Sequence, residues 1–151
     1  MARPCSILIP ACLGLAFAGL ASASARSSYA RVDAAPMRTS VYVASVLLTP
    51  GPFVRTNGVY VAEYTAEVFP FSFYSENGSL RIAVSDGDLD RLSRGLSFAF
   101  EGRAIRSDGR ERRIDGRVTP LGPATGRIRV RLVVNRYLIL VFDTTYRLPS
   151  G

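Results

Sequence analysis

Apolar and polar residues alternate with a period of two through most of the chain after residue 41, and turn residues interrupt the alternation at short intervals. Such a pattern is typical of β-strands with one buried and one solvent-facing side. From Tyr60 to Val68 every second residue is apolar, and Glu63 and Glu67 fall on the opposite face. Further strands are predicted at residues 41–48, 53–56, 80–84, 96–105, 111–119, 127–134 and 137–143.

The pattern predicts an all-β domain, either a small antiparallel barrel or a two-sheet sandwich, of about eight strands with one short helix. We favour this architecture over an outer-membrane barrel because the apolar segments are uneven in length and several outward faces are charged. Asn57-Gly58 predicts a two-residue hairpin, since both central positions of that turn need a positive φ. The apolar parity changes after Val68, which predicts a bulge or bend at Pro70. Another hairpin turn is predicted at residues 76–78.

Three acidic residues between positions 86 and 90 precede an amphipathic segment. The segment predicts a helix near residues 88–94, capped by Asp86 or Asp88 and ended by Gly95. A calcium loop is the alternative interpretation, but such loops need glycine at the sixth position and glutamate at the twelfth. This chain has Arg91 and Ser97 there. We therefore predict no metal site.

The register of two hairpins can be predicted. Centring the first on a loop of Asp108-Gly109-Arg110 pairs Glu101 with Arg117 and Arg103 with Asp115 on the outer face. The inner-face pairs are then Phe100 with Val118, Gly102 with Gly116 and Ala104 with Ile114. In the last hairpin, across Asn135-Arg136, the pattern predicts Tyr137, Ile139, Val141 and Asp143 facing inward. Leu140 and Phe142 would then lie outside, beside Arg127, Arg129 and Arg131.

The chain is basic, with nineteen arginines, no lysine and twelve acidic residues, for a net charge of +7. A basic surface suits an anionic partner, here anionic lipid or polysaccharide. Genomic composition bias and solvated side chains are the simpler explanation for so much arginine. The candidate anion-binding residues, called the Arg face below, are Arg113, Arg117, Arg127, Arg129 and Arg131. The candidate residues for an apolar ligand are Phe69, Phe71, Phe73 and Tyr74.

The first 25 residues have the layout of a secretory signal peptide, with Arg3, an apolar stretch over residues 7–20 and the small-residue site Ala23-Ser24-Ala25. We predict a signal peptide at 1–25, a flexible leader at 26–40 and the all-β domain at 41–151. The mature chain would be periplasmic or extracellular, without a transmembrane span, and export argues against a nucleic acid partner. Both cysteines lie within the signal, so the domain would contain no disulfide.

After residue 25 the chain contains no His, Cys or Lys. A serine nucleophile would lack its usual base, and zinc would lack nitrogen and sulfur ligands. Glu63 and Glu67 would be about 13 Å apart on a strand, beyond the roughly 5–9.5 Å of glycosidase carboxylates. We predict no enzyme and no cofactor, but an exported binding or structural module that contacts anionic envelope material through the Arg face. A carrier of a small apolar ligand in the barrel interior is the alternative, and an enzyme with an unfamiliar Asp, Glu and Tyr site is the third.

Overall fold

A computed structural model describes residues 28–149. The predicted signal peptide lies outside the described residues. Strands make up most of the described part, and helix α1 lies between the sixth and seventh strands. Their bounds are β1 Arg31–Ala34, β2 Met37–Val41, β3 Ala44–Pro50, β4 Phe53–Thr56, β5 Val59–Phe69, β6 Glu76–Ala83, α1 Asp86–Ser93, β7 Phe98–Arg106, β8 Glu111–Pro120, β9 Thr125–Asn135 and β10 Leu138–Arg147.

The strands close into an antiparallel barrel with eight strand positions. Residues 31–41 fill one strand position, which Pro36 divides into β1 and β2. Residues 44–56 fill the next position, which Pro52 divides into β3 and β4. β5 pairs with β3 and β4 on one side and with β6 on the other, and β10 closes the barrel by pairing with β1. The all-β prediction is confirmed, as a closed barrel.

The predicted faces of β5 are confirmed. Tyr60, Ala62, Tyr64 and Ala66 are buried inside the barrel, while Glu63 and Glu67 on the opposite face are exposed. The Asn57-Gly58 hairpin is also confirmed, with φ values of 51° and 79°. Both residues adopt the left-handed conformation that this turn needs.

The connections of this barrel alternate between its two ends, because each strand runs antiparallel to the next. Helix α1 covers the closed end and buries Leu89 against the core. α1 begins at Ser85, which forms a capping box with Asp88, and Gly95 follows the helix with a φ of 76°. The predicted cap at Asp86 or Asp88 is therefore wrong, because the N-cap residue is Ser85. Asp88 contributes as the third residue of the helix, whose side chain completes the capping box. We call the opposite end the open end; its connections are residues 42–43, 70–75, 107–109 and 136–137.

The folded domain begins before residue 41, so the flexible leader predicted at 26–40 is wrong from Arg31 onward, where β1 begins. β1 and β2 fill one position of the barrel wall, and Met37 is buried. The Ala35 N–H donates to the Thr145 carbonyl, and the Thr144 hydroxyl donates to the Ala35 carbonyl. The strand predicted at 41–48 is also divided, because the chain turns at Tyr42, whose φ is 52°.

No bent strand continues past Pro70. β5 ends at Phe69, a cis peptide precedes Pro70, and Ser72–Tyr74 form one 3-10 turn at the open end. The parity change after Val68 thus marks the end of a strand instead of a bulge. The turn predicted at residues 76–78 is also wrong, since β6 already begins at Glu76.

The β7–β8 hairpin differs from the predicted register by two residues. Phe100 lies opposite Gly116, and Gly102 lies opposite Ile114. The inner faces are as predicted, since a two-residue shift preserves parity. The loop is Ser107-Asp108-Gly109, because a three-residue loop places its glycine last, in the left-handed conformation, and Gly109 has a φ of 88°. The predicted pairs Glu101–Arg117 and Arg103–Asp115 are replaced by Glu101 opposite Asp115 and Arg103 opposite Arg113.

The predicted faces of β10 are inverted. The register of β10 against β9 shifts between Leu138 and Ile139, because Val134 of β9 is an extra, unpaired residue there. This bulge displaces the pairing along the rest of β10 by one residue. Phe142 is therefore inside the barrel, whereas Ile139, Val141 and Asp143 lie outside. The side chains that do lie inward are Leu138, Leu140, Phe142, Thr144 and Tyr146.

Candidate functional site

The barrel encloses a cavity of about 560 Å³. Its wall is mostly aliphatic and aromatic, because the inward positions of the strands carry large apolar residues and small alanines. Native interiors are normally close-packed, with few voids larger than a water molecule. Residues from around the wall include Leu48, Leu80, Phe100, Ile114, Leu132 and Phe142.

The cavity extends to the open end of the barrel. There its lining includes Tyr42, Phe71, Phe73 and Tyr74. The Phe71 and Phe73 ring centroids are 6.0 Å apart, and those of Phe73 and Tyr74 are 4.4 Å apart. The 3-10 turn thus holds a cluster of aromatic rings beside the cavity mouth.

Several large apolar side chains at the open end are exposed to solvent. They come from three separate connections, which the alternating topology brings to the same end. An exposed set of this kind, next to a cavity, marks a surface for apolar contact. We call it the aromatic rim, and its members are Tyr42, Val43, Phe73, Tyr74 and Tyr137, each at least 65% exposed.

A buried polar cluster interrupts the apolar wall near the open end. It consists of Tyr64, Glu76, Arg106 and Arg112, all on inward positions of β5 to β8. Glu76 Oε1 accepts hydrogen bonds from the Tyr64 hydroxyl, at 3.0 Å, and from Arg112, at 2.5 Å. Glu76 Oε2 is 3.4 Å from Arg106 Nε. The cluster places one carboxylate between two guanidinium groups.

Burial is strongest at the carboxylate. The side chains of Glu76, Arg112 and Arg106 are 10%, 19% and 28% exposed. Arg106 Nε is buried and forms no hydrogen bond with residues 28–149. Burial, together with the nearby negative charge of Glu76, raises the pKa of Tyr64 well above its usual range. Tyr64 is therefore a hydrogen-bond donor at neutral pH.

Three of the four predicted apolar-ligand residues lie at this site. Phe71, Phe73 and Tyr74 line the cavity. Phe69 does not; it is 75% exposed on the outer side of β5. The polar cluster was not predicted. Residue parity does indicate it, since Arg106 and Arg112 are two residues from the inward-facing Ala104 and Ile114.

The Arg face is a single outer surface on β8 and β9, as predicted, but most of its charge is paired. Arg113 contacts Glu101 at 2.8 Å, and Arg131 contacts Asp115 at 3.6 Å. Arg129 donates to both oxygens of Asp143, at 2.9 and 3.1 Å. These hydrogen bonds lower the pKa of Asp143.

The other two residues of the Arg face form no ion pair with residues 28–149. Arg117 lies directly opposite Arg129, so two like charges are adjacent there. Arg127 lies opposite Thr119 and Thr145. Within the Arg face, Arg117 and Arg127 are thus the two residues whose guanidinium groups contact no carboxylate of residues 28–149, although the charge of Arg127 also helps to lower the pKa of Asp143.

The described part of the chain contains no helix long and apolar enough to cross a membrane. Over the same residues, no three acidic side chains come together in a group that could hold a metal ion. Searches against protein-family models, curated proteins and solved structures find no match to this chain.

Proposed function

We propose that this protein is an exported, non-catalytic carrier that holds a small, largely apolar ligand inside its barrel. The observation that carries the proposal is the apolar cavity of about 560 Å³. Ligand sites in proteins typically measure about 300–1,000 Å³ and combine apolar walls with a few polar groups. The barrel interior matches both the size and the chemistry.

The two ends of the barrel support a single route for the ligand. Helix α1 packs Leu89 and Leu92 onto the closed end. The open end exposes the aromatic rim, with Phe73 and Tyr74 both on the surface and on the cavity wall. An apolar ligand that enters there passes from exposed aromatic side chains to a mostly apolar cavity wall.

The Arg face gives weaker support to the first functional prediction, contact with anionic envelope material. Arg113, Arg129 and Arg131 already bind carboxylates of neighbouring strands. Exposed ion pairs of this kind contribute little stability, but each neutralises a charge that an anionic surface would need. Contact with anionic lipid or polysaccharide through this face therefore stays a hypothesis, resting on Arg117 and Arg127.

Binding of Nile red, a neutral apolar dye, tests the carrier function. We expect the purified protein to bind the dye, and Ala104→Phe to weaken binding by at least about tenfold, because Ala104 lines the cavity and a ring there fills ligand space. Ala99→Phe is the matched control, since Ala99 is exposed on the outer face of the same strand. Ala66→Leu fills the cavity from another strand, should Ala104→Phe fail to fold.

A wild-type protein that does not bind the dye would contradict the carrier function. Equal binding by folded Ala104→Phe, Ala66→Leu and Ala99→Phe would contradict it as well. Native mass spectrometry of the protein from its natural host provides a second measurement, in which a bound apolar molecule is expected.

Export is tested separately. We expect N-terminal sequencing of the protein outside the cytoplasm to begin at Arg26, after the predicted site Ala23-Ser24-Ala25. Recovery of the full-length chain from the cytosol alone would contradict export and leave the carrier function in place.

A further inference from the structure

We infer that the ligand of the barrel is an amphiphile whose acidic head group, a carboxylate or phosphate, binds at Arg106 and Arg112 while its apolar tail fills the cavity. The inference rests on the proposed carrier function and specifies the chemical class of ligand. It is carried by the charge, the hydrogen-bonding capacity and the position of the buried polar cluster.

The charge of the cluster favours an anion. Glu76 is the carboxylate that Arg106 and Arg112 share, and all three side chains line the cavity. Asp108 also contacts Arg106, at 3.3 Å, but it lies in the loop, is 45% exposed and is 3.9 Å from Arg110 as well. Three arginines thus share two carboxylates, and the unbalanced positive charge adjoins a medium of low dielectric constant, where it attracts an anion strongly.

Unused hydrogen-bond donors indicate the same head group. A guanidinium has five N–H donors in a planar fork that fits carboxylate and phosphate oxygens. Arg112 uses Nη1 for its bond to Glu76. Arg106 Nε is buried and forms no hydrogen bond with residues 28–149. Glu76 Oε2 is 3.4 Å from this atom, too far for a good hydrogen bond. A buried donor that is not hydrogen-bonded costs free energy, and an oxygen of the ligand's head group would remove that cost.

The position of the cluster fixes the orientation of the ligand. Glu76 begins β6, Arg106 ends β7 and Arg112 is near the start of β8, so the cluster lies on the cavity wall near the open end. Beyond β8, at the same end, the wall continues with Val134 of β9 and Leu138 of β10. From the cluster toward α1 the lining is mostly apolar, and the hydroxyl of Thr144 there already donates to the Ala35 carbonyl. The head group therefore binds near the mouth and the tail points toward the closed end.

Competition with bound Nile red tests the inference with three probes of equal chain length: dodecanoate, dodecyl phosphate and dodecanol. We expect at least one of the two acids to bind wild type about tenfold or more tightly than the alcohol. The acid that binds more tightly identifies the head group. Arg106→Gln and Arg112→Gln should each weaken the binding of that acid by about ten- to hundredfold, as expected for lost charge-assisted hydrogen bonds. Each should change the binding of dodecanol by less than about twofold. Arg81→Gln and Arg103→Gln, at exposed outward positions of β6 and β7, are the matched controls and should change the binding of neither the acid nor dodecanol.

Glu76→Gln separates a head-group site from a structural cluster. The amide oxygen can still accept the Tyr64 and Arg112 hydrogen bonds, while the competing negative charge is lost. We expect acid binding to tighten by several-fold with dodecanol binding unchanged. This variant also keeps the inference testable if Arg112→Gln does not fold.

The outcomes distinguish the two proposals. Equal binding of the acids and dodecanol by wild type, or parallel losses for all three probes in the arginine and Glu76 variants, would overturn the head-group inference and leave the carrier function standing. Failure of wild type to bind Nile red or any of the three probes would overturn the carrier function itself.

Discussion

Phe100 lies directly opposite Gly116 across the β7–β8 pair, and its ring occupies the space that a side chain at Gly116 would need. A Cβ atom at Gly116 would be 2.6 Å from the Phe100 ring and 2.2 Å from the Arg129 carbonyl oxygen. Gly102 likewise lies opposite the large side chain of Ile114. The sequence-based register paired the two glycines with each other, which would leave a gap in the barrel wall. In the observed register the Phe100 ring fills the space at Gly116, and Ile82 of β6 packs against Gly102.

The contact predicts the effect of Gly116→Ala. We expect the free energy of unfolding to fall by about 1–3 kcal/mol, the usual cost of forcing extra atoms into a packed interior. Denaturant unfolding measures it. Gly122→Ala is the control, because the nearest atom to a Cβ there is 3.6 Å away; it should stay within about 0.5 kcal/mol of wild type. Equal stability of the two variants would contradict the observed packing of Phe100.

Alternation alone predicted much of the barrel. The inward faces of β5, β7 and β8 follow directly from residue parity, and the Asn57-Gly58 turn follows from its need for positive φ. The predicted faces of β10 were inverted because β9 carries an extra residue at Val134, which shifts the pairing by one residue along the rest of β10. Nothing in the local apolar pattern marks that position, since both faces of this strand carry apolar residues.

The candidate site was predictable only in part. The aromatic residues that follow β5 are adjacent in sequence, so their clustering at one connection follows from the chain itself. The buried polar cluster joins Glu76 to Arg112, 36 residues apart, through the registers of two strand pairs. The predicted β7–β8 register was off by two residues, which is enough to misplace Arg112 along the wall.

The burial of Tyr60 predicts a loss of stability at alkaline pH. Its hydroxyl donates to the Tyr29 carbonyl at 2.6 Å, and burial raises the pKa of Tyr60 from 10.0 to about 12. The unfolded chain therefore releases this proton at lower pH than the folded one. The contribution to stability is complete below pH 10 and is lost as pH rises toward 12. The chain contains no lysine, so no lysine side chain titrates over the same interval.

Urea unfolding across that interval, with tyrosinate absorbance recorded in parallel, provides the measurement. We expect Tyr60→Phe to make the alkaline decline in the free energy of unfolding shallower. Tyr137→Phe, at an exposed turn, should keep the wild-type slope. An unchanged slope in Tyr60→Phe would show that burial of this hydroxyl does not govern the decline.

The ion pairs of the Arg face predict which of its residues would hold an anionic surface. We expect the double variant Arg117→Gln, Arg127→Gln to lose more binding to phosphatidylglycerol vesicles at low salt than Arg113→Gln, Arg131→Gln. Both remove two charges, but the second pair is already bound to Glu101 and Asp115. Co-sedimentation measures the binding, which should weaken with added salt. Equal losses of vesicle binding in the two double variants would indicate that binding depends on net charge alone. Absence of binding by wild type would contradict contact with anionic envelope material through the Arg face.

Phe73 and Phe69 allow a direct test of the open end as the route for the ligand. The two side chains are 74% and 75% exposed, and only Phe73 lines the cavity. Because both are exposed, Phe73→Ser and Phe69→Ser should each change the free energy of unfolding by less than about 0.5 kcal/mol.

We expect Phe73→Ser to slow the association of Nile red, measured by stopped-flow fluorescence, since the ligand loses an apolar contact at the mouth. Phe69→Ser should associate at the wild-type rate. Equal rates in both variants would place the route elsewhere, and slowing in both would show that general surface hydrophobicity, instead of the mouth, attracts the dye.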